Sequence, residues 1–183
     1  MLIATIVTAD EELQQIYDLN QQNLKQHLDT NEREKEGFVS WLYPVELLRQ
    51  MQQLAPTVIV KDDDRVVGYA LTTLKEASRF HPDLKIMFAN LESLTYKDRP
   101  LFSYQFYCMG QICVAKDFRG KGIVQMLYQK HKETYGQEYD FLLTEISTRN
   151  PRSIKAHEKI GFKTVYTYKD AMDEWAVVIW HWK

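Results

Sequence analysis

Between residues 117 and 124 the chain reads Asp117-Phe118-Arg119-Gly120-Lys121-Gly122-Ile123-Val124. Two glycines and two cations stand between an apolar alternating stretch and a periodic helical one. Such a run suits a pyrophosphate, because glycine lets the backbone approach a ligand and the first amides of a helix have no partner inside it. The helix dipole adds partial positive charge at the same end. An ordinary solvated turn can have the same composition, so the setting must decide between the two.

Other residues could move protons. Glu145 lies at the end of an apolar run, Phe141 to Ile146. A carboxylate there can act as a base or bond neighbouring backbone. His157 falls in a helix that begins at Asn150-Pro151. It can donate a proton near neutral pH or simply pack. Cys108 and Cys113 are candidate nucleophiles, while no Ser-His-Asp order is evident. The five histidines show no HExxH spacing and no nearby cysteine pair, so no metal is expected. Arg149, Arg152, Lys155 and Lys159 read as a solvated face or as partners for a phosphate.

The elements that must position these groups follow from periodicity. Ile3 to Val7 is a strand candidate. Thr8 with Glu11 forms a capping box for a helix running to about Leu28, with Leu13, Ile16, Tyr17, Asn20 and Leu24 as its stripe. Asp29 to Gly37 reads as a polar loop. A second helix spans roughly Val45 to Leu54. Thr57 to Lys61 and Val66 to Leu74 form a hairpin around Asp62-Asp63-Asp64-Arg65, a solvated turn rather than a cation site. Pro82 starts a helix through Leu94. Tyr104 to Val114 is a long strand. Val124, Leu127, Tyr128, His131 and Tyr135 recur at helical spacing until Gly136. Phe141 to Ile146 is a buried strand. Asn150-Pro151 caps a helix that Gly161 ends. Phe162 to Tyr168 and Trp175 to Trp182 close the chain as a strand pair.

At 183 residues the length suits one domain. A formal charge of -2 with mixed signs gives no case for nucleic acid or anionic membrane as a partner. No apolar run approaches a bilayer span, and the N-terminus lacks a signal peptide's basic flank. Cys108 and Cys113, five residues apart in one strand, are expected on opposite faces and unpaired. A reducing, cytoplasmic compartment fits.

The order strand, Arg119-Gly120-Lys121-Gly122 turn, helix, buried strand, then Asn150 through Lys159, Gly161 and Phe162 resembles the GNAT family of acyl-CoA N-acetyltransferases. The resemblance covers about Tyr107 to Phe162. Val124 stands where the family's first motif usually has Gly or Ala, and His157 where many relatives have a tyrosine that protonates the departing thiolate. The resemblance implies an α/β fold with a mixed sheet of about seven strands and helices on both faces, in a single domain over residues 1–183. It implies acetyl-CoA as the acetyl donor and no metal. The amides of Arg119, Gly120, Lys121, Gly122, Ile123 and Val124 would wrap the diphosphate. The strand before the turn would splay from its neighbour, with Ile112, Cys113 and Val114 bonding pantetheine and the Val114 amide polarising the thioester carbonyl. Asn150 and Ser153 would meet the cofactor from the other side. His157 becomes the candidate acid, with Tyr128 or Tyr107 as alternatives, and Glu145 the candidate base.

The expected activity is direct acetyl transfer to an amine, small-molecule or peptide. A non-catalytic acyl-CoA sensor on the same fold is the alternative, motivated by Val124 and His157. A nucleotide-binding domain of another kind would need a full glycine fingerprint or a Walker lysine, and neither is present. Trp41, Tyr43, Phe80, Phe102 and Tyr104 suggest an aromatic wall for the acceptor, a core, or a homodimer surface.

Overall fold

The structure, a computed structural model, describes residues 1–24, 26, 39 and 41–183. Strand β1 (Leu2–Ile6) leads to helix α1 (Asp10–Gln22). Helix α2 (Val45–Leu54) precedes β2 (Val58–Asp62) and β3 (Arg65–Thr73). Helix α3 (Pro82–Glu92) is followed by a short ribbon, β4 (Thr95–Tyr96) and β5 (Arg99–Pro100). The second half runs β6 (Phe106–Val114), α4 (Ile123–Tyr135), β7 (Phe141–Ser147), α5 (Pro151–Ile160), β8 (Lys163–Lys169) and β9 (Glu174–His181). Seven strands make one mixed sheet in the order β1-β2-β3-β6-β7-β9-β8. Only β6 and β7 run parallel, joined by α4 as the crossover such a pair requires.

The apolar stripe of α4 lies across one face. Ile123, Leu127, Tyr128, His131 and Tyr135 are its buried residues, and burying a residue such as Leu127 contributes about 1.5–3 kcal/mol. The approach is close at Gly68, where an added Cβ would stand 2.6 Å from Ile123 Cγ2. On the opposite face, the Tyr69 hydroxyl donates to Gln111 Oε1 at 2.5 Å, and Gln111 Nε2 donates to the Trp41 carbonyl at 2.7 Å. Asn20 of α1 bonds the same carbonyl and accepts from the Tyr43 amide. The segment before α2 is thereby fixed over the sheet.

Three sequence expectations change. The N-cap of α1 is Ala9, and Glu12 rather than Glu11 closes the cap, accepting from the amides of Thr8 and Ala9 while pairing with Lys61 at 2.8 Å. The helix ends at Gln22, and Leu24 bridges to Val39; Leu28 and the loop Asp29 to Gly37 lie outside the described residues. The third change comes from β6. Ala70 pairs with Ile112 but Thr72 with Met109, so β6 carries one extra residue opposite Leu71. This bulge reverses side-chain parity beyond it. Tyr107 and Val114 therefore share the α4 face, and both cysteines point away from it, as separate buried thiols.

The bulge packs closely at Gly110, where an added Cβ would fall 2.4 Å from buried Thr73 Oγ1 and 3.1 Å from the Tyr43 hydroxyl. Gly110→Ala is expected to cost about 1–3 kcal/mol through overpacking, measurable as a lower urea midpoint with unchanged slope.

Candidate active site

The middle of the sheet opens. β6 and β7 pair only at Phe106–Phe141, Tyr107–Leu142 and Cys108–Leu143. Immediately beyond, the Thr144 hydroxyl donates to the Met109 carbonyl at 2.8 Å, and then the strands part. The Ala115 amide donates to the Val67 carbonyl at 2.9 Å. Alternation along an antiparallel ladder then aims the backbone of Cys113 at β3 and that of Ile112 and Val114 into the gap. The expectation that Cys113 bonds a ligand through its backbone is corrected by this parity.

Below the gap lies the glycine turn. Gly120 and Gly122 have φ of 76° and 78°, the left-handed region that favours glycine, and an added Cβ at either would meet nothing within 4 Å. Among the described residues the amides of Gly120, Gly122, Ile123 and Val124 have no hydrogen-bond partner, whereas those of Arg119 and Lys121 are taken by the carbonyls of Lys116 and Phe118. The open concave turn at a helix N-terminus fits a diphosphate. The Arg119 side chain, expected to add charge to a phosphate, folds inward instead. Its Nε donates to the Val114 carbonyl at 3.4 Å and its Nη2 to Asn23 Oδ1 at 2.5 Å. Lys121 stays exposed, its ammonium 4.6 Å from the centre of the Phe118 ring. Half-buried Val124 packs against the core.

Helix α5 forms the opposite wall. Asn150 caps it by accepting from the Ser153 amide at 3.2 Å, and Gly161 ends it at φ 114°. His157 is buried between α5 and α4. Its Nδ1 lies 2.7 Å from the Ser153 carbonyl and its Nε2 2.5 Å from the Tyr128 hydroxyl. A carbonyl only accepts, so Nδ1 carries the hydrogen and Nε2 accepts from Tyr128. Burial pushes His157 down to about 4, with the Ser153 carbonyl opposing the shift. The imidazole is neutral at pH 7, and the mobile proton of the pair is on Tyr128. In this arrangement His157, the expected acid, accepts from Tyr128, whose hydroxyl holds the proton the pair can donate. Tyr107, the other hydroxyl considered, donates to His131 beneath the sheet.

Two cavities meet here. The larger, about 910 Å³, runs along the glycine turn, Ile112, Val114 and α5. The smaller, about 190 Å³, lies over Glu145 and is walled by Trp41, Tyr43, Met87 and Trp175. Ile112, Asn150, Ser153 and His157 line both. Of the aromatic residues suggested by the sequence, Phe80, Phe102 and Tyr104 stand away from this wall, and the last two join the aromatic cluster around Phe106 and Phe141. Glu145 accepts from the Tyr168 hydroxyl at 2.6 Å. Burial raises it from 4.5 to about 7 despite that bond.

The sequence profile described as the acetyltransferase (GNAT) family matches residues 13–162. The chain belongs to this family. It is therefore an acyltransferase of the acetyltransferase class. No curated protein sequence matches the chain. Among solved structures, the GNAT fold recurs in an N-acetyltransferase from Staphylococcus aureus Mu50, with 19% identity, TM-score 0.62, and 100% of this chain and 99% of that one covered. A putative acetyltransferase from Salmonella typhimurium, solved with acetyl-CoA, shows 14% identity and TM-score 0.61 over 100% of this chain and 94% of that one. The ribosomal-protein-S18-alanine N-acetyltransferase from Escherichia coli shows 12% identity and TM-score 0.63 over 98% and 92%. At these identities the likeness is one of fold.

Within the GNAT frame, Tyr168, Asp83 and Asp170 also line the smaller cavity, and the sequence did not mark them. They reach the smaller cavity from a strand, a helix start and a turn far apart in the chain, and no motif announces them. Arg149, one of four cations considered for a phosphate, pairs with Asp173 at 2.8 Å, while Arg152, Lys155 and Lys159 line the larger cleft. Among the described residues no group of His, Cys, Asp or Glu could hold a metal, and no helix is long and apolar enough to cross a membrane.

Proposed function

We propose that the protein transfers an acetyl group from acetyl-CoA directly to a primary amine held in the smaller cavity, all 183 residues forming one catalytic domain. The observation that carries this reading is the shared wall. A phosphate-compatible cleft and a cavity containing a carboxylate of pKa about 7 meet at Ile112, Asn150, Ser153 and His157. Bound acetyl-CoA supplies an activated thioester.

The amides of Gly120, Gly122, Ile123 and Val124 hold the diphosphate, with Arg152, Lys155 and Lys159 supplying positive charge alongside. Ile112 offers its backbone groups to the pantetheine arm, and the Val114 amide polarises the thioester carbonyl. Asn150 and Ser153 complete the far wall. Glu145, held by Tyr168, takes the proton from the amine. Tyr128, oriented by His157, returns a proton to the departing thiolate. Direct attack is favoured over an acyl-cysteine, because burial drives Cys113 up to about 12 and Cys108 well above its ordinary value, leaving both as thiols. Two unpaired thiols also suit a reducing compartment such as the cytoplasm.

Free thiol released from acetyl-CoA across an amine panel tests the proposal. Tight acetyl-CoA binding with no turnover on any amine would overturn it. Tyr128→Phe and His157→Phe are each expected to lower kcat by about 100-fold or more, in line with loss of a positioned proton donor. Acetyl-CoA affinity, measured by calorimetry, should stay within about twofold of wild type. An unchanged kcat in Tyr128→Phe removes the hydroxyl from the mechanism.

A further inference from the structure

The two connected cavities carry opposite charge. Arg119, Arg152, Lys155 and Lys159 line the larger cleft, and among the described residues no carboxylate does. Asp83, Glu145 and Asp170 line the smaller cavity, and among the described residues no lysine or arginine does. Between its carboxylates the smaller cavity is mostly apolar, with Gln111, Thr144, Ser147 and Asn150 as uncharged polar lining. Trp41 and Tyr43 stand with ring centroids 4.2 Å apart, with Leu84, Met87, Met172 and Trp175 completing the wall. Asp170 is ionised at neutral pH: burial raises it, but the amides of Asp173 and Met172 prevail and hold it below the usual carboxylate range.

We infer that the acceptor is a small primary monoamine that bears no carboxylate and carries its single ammonium on an otherwise uncharged aliphatic or aromatic body. This inference rests on the transfer reading above. An ammonium entering the smaller cavity meets three acidic side chains and leaves its hydrocarbon against aromatic and thioether surface. An α-amino acid would bring its own carboxylate among Asp83, Glu145 and Asp170, and no lysine or arginine among the described residues lines the cavity to receive it. Like-charge placement rejects a ligand more sharply than a missing contact does. The cavity's volume of about 190 Å³ suits a small molecule better than an extended peptide.

The test compares 2-phenylethylamine, phenylalanine, spermidine and a Met-initiated tripeptide amide in thiol release with saturating acetyl-CoA. The kcat/KM for 2-phenylethylamine is expected to exceed that for phenylalanine by about 100-fold or more. It should also exceed those for spermidine and the tripeptide. A second arm uses Asp83→Lys, whose carboxylate is partly exposed; retained far-UV circular dichroism and acetyl-CoA affinity report its folding. The variant is expected to raise KM for 2-phenylethylamine about tenfold at unchanged kcat, and to narrow the gap to phenylalanine. Preference for phenylalanine, spermidine or the tripeptide, or an unchanged KM in Asp83→Lys, overturns the inference and leaves acetyl transfer standing. Acetyl-CoA binding without turnover of these four or of any amine in the wider panel sinks the transfer reading, and this inference with it.

Discussion

Gly122→Glu is expected to abolish measurable acetyl-CoA binding while leaving the fold intact. Gly122 caps α4 at φ 78°, a conformation an L-residue adopts at a cost of about 1–2 kcal/mol. Its amide, with those of Gly120, Ile123 and Val124, lacks a partner among the described residues. An added Cβ meets nothing within 4 Å, so the new side chain enters open space rather than the core. That space is the proposed seat of the diphosphate, and a carboxylate there both fills it and repels the phosphates. Calorimetric titration should show no heat, with far-UV circular dichroism and melting changed only slightly. Retained affinity would move the diphosphate site away from this turn.

Glu145→Gln carries the second large effect, and its signature is a pH profile. The carboxyl has its folded pKa raised to about 7, chiefly by burial. As the base it must be ionised, so the wild-type rate should rise with pH through about 7. The glutamine variant should lose that limb and about 100-fold or more in kcat. Stability moves the other way. The pKa of this acid is higher in the folded than in the unfolded chain, so its relative stabilisation is complete below about 4.5 and is lost as pH climbs to about 7. From 4.5 to about 7, at about 1.4 kcal/mol per unit, the penalty for the buried charge is on the order of 3 kcal/mol above neutrality. Glutamine can still accept from Tyr168 without carrying that charge. The variant should therefore melt above wild type at pH 8 and near it at pH 4. Equal melting temperatures at pH 8 would contradict the burial argument.

What the sequence disclosed was locally encoded. Gly120, Gly122 and Gly161 hold left-handed backbone, and Asn150-Pro151 carries its cap in its own side chain, so both motifs were readable without neighbours. The buried stripe of α4 followed from spacing alone. The cap of α1 was placed one residue early because Glu11 and Glu12 both offer a carboxylate; Lys61, some fifty positions away, selects Glu12. The β4–β5 ribbon carries no such local mark either. Lys97 and Asp98 turn the ribbon at positive φ without a glycine to mark it. The β6 bulge also has no local marker, and it overturned the parity argument for Cys108 and Cys113. At the site, Arg119 has the residue type of a phosphate ligand, yet Asn23 and the Val114 carbonyl hold it. Only tertiary packing decides that, as it decides the meeting of Tyr168 with Glu145.

The fork between β6 and β7 has a mechanical consequence. Across it, two half-sheets of four and three strands are joined by three residue pairs and the Thr144 rivet. A pantetheine arm seated in the fork, as proposed above, would complete the ladder that the polypeptide leaves unfinished. The donor would then act as mortar as well as reactant, stiffening the hinge at Cys108 and Leu143 so that Val114 and Glu145, on opposite halves, hold one spacing while the acyl group moves.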